Sequence, residues 1–322
     1  MPSNDGEPFT CELAARLMAK VSVVIPTRNP GAASETLIRA LRQQEGAEVE
    51  LIVIDSESND GSGSALRHVG AKVVTVSPRE FQHGRTRNTA AAMASHDILV
   101  FLTQDAVPMD AFTLSNLTLP IVLGEASATF GRQVPRPGAT PLEQYARETN
   151  YPKQGRVVSS NGIPSLGIRA YFLSNCCSAI RRDLFEELGG FPTHTIMNED
   201  MLLAAKLLSA GHKIAYIPDA KVIHSHNYNV GQTFQRYFDI GVVFEQAREE
   251  LLGVDATGEG VRYVRGLFTA LWRDRQYAWI PVAVAESAAK WVGQFLGKRH
   301  KQLPLPLVRR LSMHRNYWDA PS

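Results

Sequence analysis

Acidic side chains stand at the ends of predicted strands, where they could hold a cation or accept a proton. Asp55 closes the apolar run LIVID, and Asp105 follows the run DILVFL. Glu199 and Asp200 open a predicted helix. A carboxylate in a cleft can bind a hard divalent cation or act as a general base. Asp200 has a second interpretation, because an acid in the first helical turn also complements the helix dipole and caps free N–H groups.

Two histidines, His224 and His226, form an HxH pair on a predicted strand or at its end. Alternation along a strand points both rings to the same face, so a metal site is possible. Histidines that merely pack in a core or lie on the surface are commoner. The pair therefore gains weight only if it lies beside the carboxylates.

Other polar residues collect at the same strand ends: Thr27 and Asn29, Glu57, and Gln104. In parallel sheets of α/β proteins, ligands bind beyond the carboxyl ends of the strands. Ordinary helix caps and turns use the same residue types and remain the alternative interpretation.

Strands alternate with helices over the first hundred residues. Apolar runs predict buried strands at 21–25 (ended by Pro26), 51–55, 72–76 and 97–102, and periodicity predicts helices at 35–44 and 85–94. This alternation predicts a βαβ-built, mostly parallel sheet. Later helices are expected at 141–149, 183–190 and 200–210, two short strands separated by a proline within 213–226, and helices from about 232 onward.

Composition excludes several classes of protein. The 322 residues are 44% hydrophobic and 20% charged with a net charge of +2, which predicts a globular chain of about two domains and no nucleic-acid partner. Three cysteines give neither a disulfide framework nor a zinc spacing. P-loop, GxGxxG and GxSxG motifs are absent. We expect no signal peptide in the first twenty residues and no membrane span, because no window of about 18 apolar residues occurs.

Taken together, several stretches resemble the family 2 glycosyltransferases, which have the GT-A fold. They are VSVVIPTRN, LIVIDSESNDGS, LVFLTQDAVP and NED at 198–200. FQHGRTRNTAA, HSHNYNVGQTFQRYFDIG and the ending KRHKQLPLPLVRRLSMHRNYW resemble a bacterial rhamnosyltransferase subgroup. The resemblance implies an α/β fold of GT-A type, with a Rossmann-like, mostly parallel central sheet flanked by helices. It implies an N-terminal extension at 1–20, a catalytic domain at 21–244 and a helical C-terminal region at 245–322.

The resemblance also implies roles for the polar residues. Asp55 matches the acid that recognises uracil or thymine, and Asp200 matches the base that deprotonates the acceptor hydroxyl in an inverting transfer. Glu199 would position the acceptor or raise the pKa of Asp200 by like-charge repulsion. The remaining donor-binding residues implied are Thr27, Asn29, Glu57, Arg85, Asn88, Gln104 and Asp105.

A divalent cation, Mg²⁺ or Mn²⁺, is the implied cofactor. Asp105 matches the last acid of the family's DxD motif, but Thr103 stands where the first acid is expected. One carboxylate is a thin ligand shell, so we expect His224 as a further ligand and His226 as its reserve.

The expected reaction is inverting transfer of a sugar, most simply L-rhamnose from dTDP-β-L-rhamnose, onto a saccharide in bacterial surface polysaccharide synthesis. Two alternatives remain at this point. One is a UDP-sugar donor on the same fold, and the other is a non-catalytic subunit that binds nucleotide sugars or carbohydrate.

The C-terminal region combines Trp272, Trp279, Trp291 and Phe295 with many lysines and arginines. Such a mixture suits the headgroup region of a membrane. The acceptor is then expected to be lipid-linked, and the protein cytoplasmic or peripheral on the inner face of the plasma membrane. Packing of these helices onto the catalytic domain and formation of a homo-oligomer are the alternatives.

Overall fold

The computed structural model of the protein describes residues 18–251 and 257–319. The strands are β1 (Ala19–Thr27), β2 (Ala47–Asp55), β3 (Lys72–Thr75), β4 (Ile98–Leu102), β5 (Val107–Pro108), β6 (Ala128–Val134), β7 (Arg156–Val158), β8 (Cys177–Arg181) and β9 (Ile214–Ile223). Most of the predicted N-terminal extension, 1–17, and the third cysteine, Cys11, lie outside the described residues.

The helices alternate with these strands and then dominate the end of the chain. They are α1 (Ala32–Arg42), α2 (Ser62–His68), α3 (His83–Ala91), α4 (Thr113–Val122), α5 (Pro141–Asn150), α6 (Ile163–Leu166), α7 (Arg182–Glu187), α8 (Glu199–Ser209), α9 (Val230–Gln246), α10 (Thr257–Arg273), α11 (Ile280–Gly297) and α12 (Leu305–Leu311).

The strands form one mixed sheet in the order β3-β2-β1-β4-β8-β6-β9-β5, with β7 beside β9. Six strands run in the same direction, and β5, β7 and β8 run against them. The expectation of a mostly parallel sheet flanked by helices is confirmed. Its central strands are buried on both faces, which explains their continuous apolar runs.

Two prolines that were predicted to end strands lie inside them. β1 continues through Pro26 to Thr27, because its pairing with β4 stops at Val24 and the missing N–H costs no ladder bond there. β9 continues through Pro218, which falls where the register between β6 and β9 shifts. Both predictions were wrong because pairing on each side of a strand, and not the residue alone, decides whether proline is tolerated.

The C-terminal helices pack closely onto the rest of the protein. α11 crosses α9 so tightly that a Cβ at Gly297 would stand 2.0 Å from the Phe238 carbonyl oxygen. α10 packs on α5 through a cluster that includes Leu142 and Leu267. Within the described residues, no helix is both long and apolar enough to cross a membrane.

Candidate active site

The first part of the site lies where β1 and β2 end side by side. Thr27 and Asp55 are register partners in this parallel pair, and both are buried. Thr27 Oγ1 lies 3.5 Å from Asp55 Oδ1, and the Ser58 N–H donates to Asp55 Oδ2 at 3.3 Å. Glu57 lies beside them with a φ of 50° and an exposed side chain. The Asp55 carboxylate is therefore buried where β1 and β2 end. We call this part of the site the pocket edge.

Side-chain hydrogen bonds hold the loops that follow these strands. Asn29, with a φ of 45°, donates its N–H to Ser58 Oγ at 2.8 Å, and its Oδ1 accepts the Asn59 N–H at 2.9 Å. Gln104 binds the backbone of Arg28 at both the N–H (2.7 Å) and the carbonyl (3.3 Å). Asn29 and Gln104 therefore shape the pocket edge through backbone contacts.

The second part of the site brings Asp105, His224 and His226 together. Asp105 Oδ2 lies 3.5 Å from Nε2 of each histidine, and the three candidate ligand atoms all lie within 4.8 Å of one another. The His224 side chain is 5% exposed and that of Asp105 is 40% exposed. The cluster therefore has a buried wall and an open side from which a ligand can approach.

A buried network fixes which nitrogen of His224 faces Asp105. Gln133 Oε1 accepts a hydrogen bond from Arg147, so this atom is the amide oxygen. His224 Nδ1, 2.9 Å from the same oxygen, must then be the protonated nitrogen and donate to it. In neutral His224 the lone pair is therefore on Nε2, toward Asp105 and His226, which is the arrangement that metal-binding histidines use. The donor set therefore fits a divalent cation.

Local charges agree with this assignment. Burial acts to raise the pKa of Asp105, but the hydrogen bond and charge of His224 hold that pKa well below its usual range. Burial acts to lower the pKa of His224, but the neighbouring Cys176 and Asp105 raise it to about 9. Burial and the neighbouring His224 lower the pKa of His226 to about 4. A cation would take the place of the proton that His224 otherwise holds against Asp105.

The third part of the site is the start of α8. Asn198, with a φ of 59°, makes the turn into the helix, a backbone conformation that asparagine tolerates better than most residues. Asp200 Oδ2 accepts the Asn175 N–H at 3.0 Å, and its Oδ1 accepts the Met201 N–H at 2.9 Å. Asp200 thus bonds one free amide of its own helix and one from a separate segment.

Glu199 points inward and forms a buried ion pair. Arg87 Nη1 lies 2.9 Å from Glu199 Oε1, and both side chains are less than a tenth exposed. The Asn175 side-chain amide donates to the same oxygen at 3.0 Å. Burial acts to raise the pKa of Glu199, but the charge of Arg87 outweighs it and lowers that pKa. Glu199 is therefore ionised at neutral pH.

The ionised Glu199 raises the pKa of the adjacent Asp200. Burial raises the pKa of Asp200, the charge of Glu199 raises it further, and it reaches about 7 despite the two backbone N–H donors. A carboxylate with this pKa can accept a proton near neutral pH and release it again. The sequence predicted that one carboxylate of the pair would raise the pKa of the other. The raised pKa of Asp200 agrees with this prediction.

A dipeptide joins the second and third parts. Asn175 binds both Glu199 and Asp200, and the next residue, Cys176, places its Sγ 3.8 Å from His224 Nε2. Asp200 and the Asp–His cluster therefore lie on either side of one dipeptide.

The resemblance implies that Arg85 and Asn88 of α3 bind the donor. Unlike Arg87 between them, neither residue is fully buried. Arg85 is exposed and donates to the Glu80 carbonyl. The Asn88 amide is occupied by the Phe191 backbone, donating to its carbonyl at 2.8 Å and accepting its N–H at 2.9 Å. Arg87, which the sequence reasoning passed over, makes the ion pair. Helical spacing with the small residues Gly84 and Ala91 could have indicated that Arg87 faces inward.

Asn175, Gln133 and Arg147 were also missed. Gln133 lies on β6, Arg147 on α5 and Asn175 in the segment before β8, with no motif spacing, so no local pattern could have found them. The sequence predicted α5 but neither β6 nor β8.

This mostly parallel sheet, flanked by helices and followed by a helical C-terminal part, is the fold of a glycosyltransferase of GT-A type. The chain belongs to glycosyl transferase family 2, whose sequence profile matches residues 22–189. It is 40% identical over 307 residues to the O-antigen chain rhamnosyltransferases WbaN of Salmonella anatum and RfbN of Salmonella typhimurium. The alignments cover 94% and 93% of this chain and 96% of each relative.

Solved structures share the fold at low sequence identity. Staphylococcus aureus TarS (residues 1–349) is 18% identical with a TM-score of 0.56, over 91% of this chain and 83% of that one. The mannosyltransferase PcManGT of Pyrobaculum calidifontis, solved with GDP-Man and Mn²⁺, is 19% identical with a TM-score of 0.55, over 95% and 86%. The family and fold predicted from the sequence are confirmed.

The buried ion pair gives a test of stability. Arg87→Met leaves Glu199 buried without its cation, and we expect the free energy of unfolding in urea to fall by about 3–5 kcal/mol. Glu199→Gln should cost a similar amount, whereas Arg87→Met with Glu199→Gln should recover most of the loss. Arg85→Met, two residues away and exposed, is the matched control and should change stability by less than about 0.5 kcal/mol. Additive losses in the double variant would contradict the pairing.

Proposed function

We propose that this protein transfers L-rhamnose from dTDP-β-L-rhamnose, with inversion, to a saccharide acceptor during synthesis of an O-antigen-type polysaccharide. One observation carries the chemistry: a carboxylate with a pKa of about 7, Asp200, lies beside the Asp105–His224–His226 cluster through the shared segment Asn175–Cys176. The two relatives named O-antigen chain rhamnosyltransferases support the choice of sugar and polymer.

In this proposal Asp200 is the general base. The acceptor hydroxyl oxygen attacks the anomeric carbon, and Asp200 takes the hydroxyl proton. The bond from the anomeric carbon to the phosphate oxygen breaks, and the electron pair leaves with dTDP. A single displacement of this kind inverts the anomeric configuration. Glu199 remains ionised against Arg87 and keeps the pKa of Asp200 in the working range.

Donor recognition is assigned to the pocket edge formed by β1 and β2. Asp55 and Thr27, buried at its floor, would bind the nucleobase. Asn29 and Gln104 hold the surrounding loops, and Glu57 stands exposed beside them. Of the α3 residues, we assign Arg85 to the donor phosphates because its guanidinium is exposed. We assign Asn88 to fixing α3 against the Phe191 backbone.

We propose that Asp105, His224 and His226 hold a divalent cation, Mg²⁺ or Mn²⁺. When bound, such an ion neutralises the charge of a diphosphate leaving group. Gln133 keeps His224 in the tautomer that leaves Nε2 free, and the low pKa of Asp105 keeps its carboxylate ionised. Two histidines thus supply what Thr103, in place of a first acid, cannot.

The metal assignment is tested with Mn²⁺ binding by calorimetry. Asp105→Asn removes the charged ligand, and we expect the Kd for Mn²⁺ to rise at least tenfold and transfer to fall with it. Asp97→Asn, an exposed acid at the opposite end of β4, should bind Mn²⁺ like the unaltered protein. Equal Mn²⁺ affinities for Asp105→Asn and the unaltered protein would exclude this site.

The base assignment is tested by the pH dependence of kcat/KM. Only the ionised form of Asp200 accepts a proton, so activity should fall as the pH drops below about 7. Asp200→Asn should lose transfer by at least about 10³-fold while binding dTDP-rhamnose nearly as well. A variant with full activity, or a rate that stays flat from pH 8 to pH 5, would contradict the assignment.

The same preparation separates the donor alternatives. In a thermal-shift screen, dTDP-rhamnose should stabilise the protein by mass action, and UDP-sugars should do so less. Stabilisation by a UDP-sugar alone would favour the alternative donor. Absence of turnover with every donor, with and without chelator, would favour a non-catalytic subunit.

The acceptor is proposed to be lipid-linked, with the protein docked on the cytoplasmic face of the membrane. One face of α11 is exposed and entirely apolar from its first turn to its last: Pro281, Val284, Ala285, Ala288, Trp291, Val292 and Phe295. We call this face the α11 stripe. The charged residues of α11, Glu286 and Lys290, lie away from it, against the protein.

Charge favours an anionic bilayer over a second copy of the chain as the occupant. Lys298 and Arg299 are exposed at the end of the α11 stripe, and the Arg299 guanidinium lies 3.7 Å from the Phe295 ring centroid. Residues 257–319 contain eleven lysines and arginines and four acids, whereas the whole chain is only +2. Two copies would bring these basic surfaces together, while anionic lipids would neutralise them.

Membrane docking is tested by sedimentation with vesicles of phosphatidylglycerol and phosphatidylcholine. Trp291→Ser with Phe295→Ser should reduce the bound fraction at least fivefold, because two interfacial aromatic anchors are lost. Val157→Ser, an exposed apolar residue on β7, is the control and should bind like the unaltered protein. A stable dimer that ignores vesicles and dissociates in the double variant would contradict docking and support a homo-oligomer.

A further inference from the structure

The last part of the chain packs directly behind the catalytic acids. We call residues 303–319 the C-terminal segment. Val308 and Trp318 of this segment share an apolar cluster with Ile196 and Met197, which immediately precede the turn into Glu199. Ile196 and Met197 are 2% and 6% exposed, so the contact is part of the protein core. The C-terminal segment therefore supports the loop that carries the proposed base.

A buried carboxylate fixes one point of the C-terminal segment. Asp239 of α9 is fully buried, and its Oδ2 accepts the N–H groups of Met313 at 2.9 Å and His314 at 3.1 Å. These bonds go to backbone atoms, so they hold residue 314 in place whatever its side chain. This attachment also fixes where the imidazole of His314 lies.

The His314 ring meets the ring of His83, the first residue of α3, edge to face with centroids 5.1 Å apart. The His83 carbonyl accepts a hydrogen bond from Arg87 at 3.1 Å, and Arg87 pairs with Glu199. The two imidazoles are thus linked to the catalytic acids through one arginine. Both histidines are only partly buried and can be reached from solvent.

Arg236 of α9 completes the group. It lies three residues before Asp239 on the same side of α9, and Asp239 holds the backbone of His314. Its charge acts to lower the pKa values of His83, His314 and His226. Its guanidinium carbon lies 5.8 Å from the Tyr228 ring centroid. Within residues 18–251 and 257–319 no carboxylate comes within 4.0 Å of it. A partly buried guanidinium without an acidic partner can bind an external anion.

We propose that His83, Arg236 and His314 form a subsite for a diphosphate group, completed only by the C-terminal segment. This inference rests on the proposed function, in which both the donor and a lipid-linked acceptor carry diphosphates. A guanidinium offers a planar fork of donors to phosphate oxygens, and each imidazole adds a further N–H donor. The position next to Glu199, on the side of the proposed base, favours the acceptor's diphosphate over the donor's.

The protonation of the two histidines is compatible with this role. Burial, with the charge of Arg236 adding to it, lowers the pKa of His83 and brings that of His314 to about 4. Both rings are neutral at pH 7 and each retains one N–H donor. The subsite therefore presents one full positive charge and two neutral donors.

The test measures ligand binding by calorimetry, so it does not depend on turnover. His314→Ala removes the imidazole but keeps the backbone bonds to Asp239. Arg315→Ala, the next residue and an exposed cation, is the matched control. The probes are dTDP for the donor, and farnesyl diphosphate with farnesol for a prenyl acceptor with and without its diphosphate.

We expect His314→Ala to weaken farnesyl diphosphate binding about tenfold or more, while farnesol and dTDP binding stay unchanged. Weakened dTDP binding instead would assign the same subsite to the donor's diphosphate. Equal affinities of His314→Ala and Arg315→Ala for both diphosphates would overturn the proposal. Failure of the unaltered protein to bind either diphosphate would overturn it as well.

A second variant separates the subsite from the proposed reaction. Asp239→Ala releases the backbone of residue 314, so it should weaken farnesyl diphosphate binding in the same way as His314→Ala and also lower Tm. If the unaltered protein transfers no sugar but the diphosphate affinities change as expected, the proposed function fails and the subsite stands. If transfer is normal and the affinities are unchanged, the reverse holds.

Discussion

Arg87 and Glu199 meet at 2.9 Å with both side chains withdrawn from water, and the chemistry of the site depends on this contact. The cation keeps Glu199 ionised, and the ionised Glu199 together with burial raises the pKa of Asp200 to about 7. Without Arg87, no positive charge would keep Glu199 ionised, and the pKa values of Glu199 and Asp200 would both change. Asn175 adds hydrogen bonds to both acids, so one segment of the chain fixes both side chains. The ion pair of Glu199 thus sets the pKa of the carboxylate for which we propose the role of base.

Hydrogen bonds also fix the side chains of the Asp–His cluster. Gln133 receives hydrogen bonds from Arg147 and from His224 Nδ1, and this orients His224 Nε2 toward Asp105. Cys176 reaches the same nitrogen from the residue next to Asn175. Asp200 and the Asp–His cluster are thus joined through the polar contacts of the Asn175–Cys176 segment.

The C-terminal segment belongs to this arrangement. Sequence reasoning gave 245–322 as a region separate from the catalytic domain at 21–244 and kept packing onto that domain as an alternative. In the structure Val308 packs on the loop before Glu199, and Asp239 binds the backbone of His314. The α11 stripe faces away, exposed and apolar. One region therefore combines an inner side that packs on the loop before Glu199 with an outer side for which we propose membrane docking.

Most of the sheet was predictable from sequence, because buried strands such as 51–55 are continuous apolar runs and every parallel strand ends at the same edge. Strands β5, β6, β7 and β8 were missed, since their short segments lie among loops. The bounds near Pro26 and Pro218 were also wrong, because they depend on pairing with neighbouring strands.

The sequence by itself determined the family, the parallel strands β1 to β4 and the residue types of the site: Asp55, Asp105, Asp200 and the two histidines lie in motifs or at strand ends. Only the tertiary structure decided that His226 lies as close to Asp105 as His224 does, that Arg87 and not Arg85 is buried, and that His314 reaches His83. These contacts join residues that are far apart in the chain. Their distances and pKa values follow from packing and burial, which no local pattern of residues encodes.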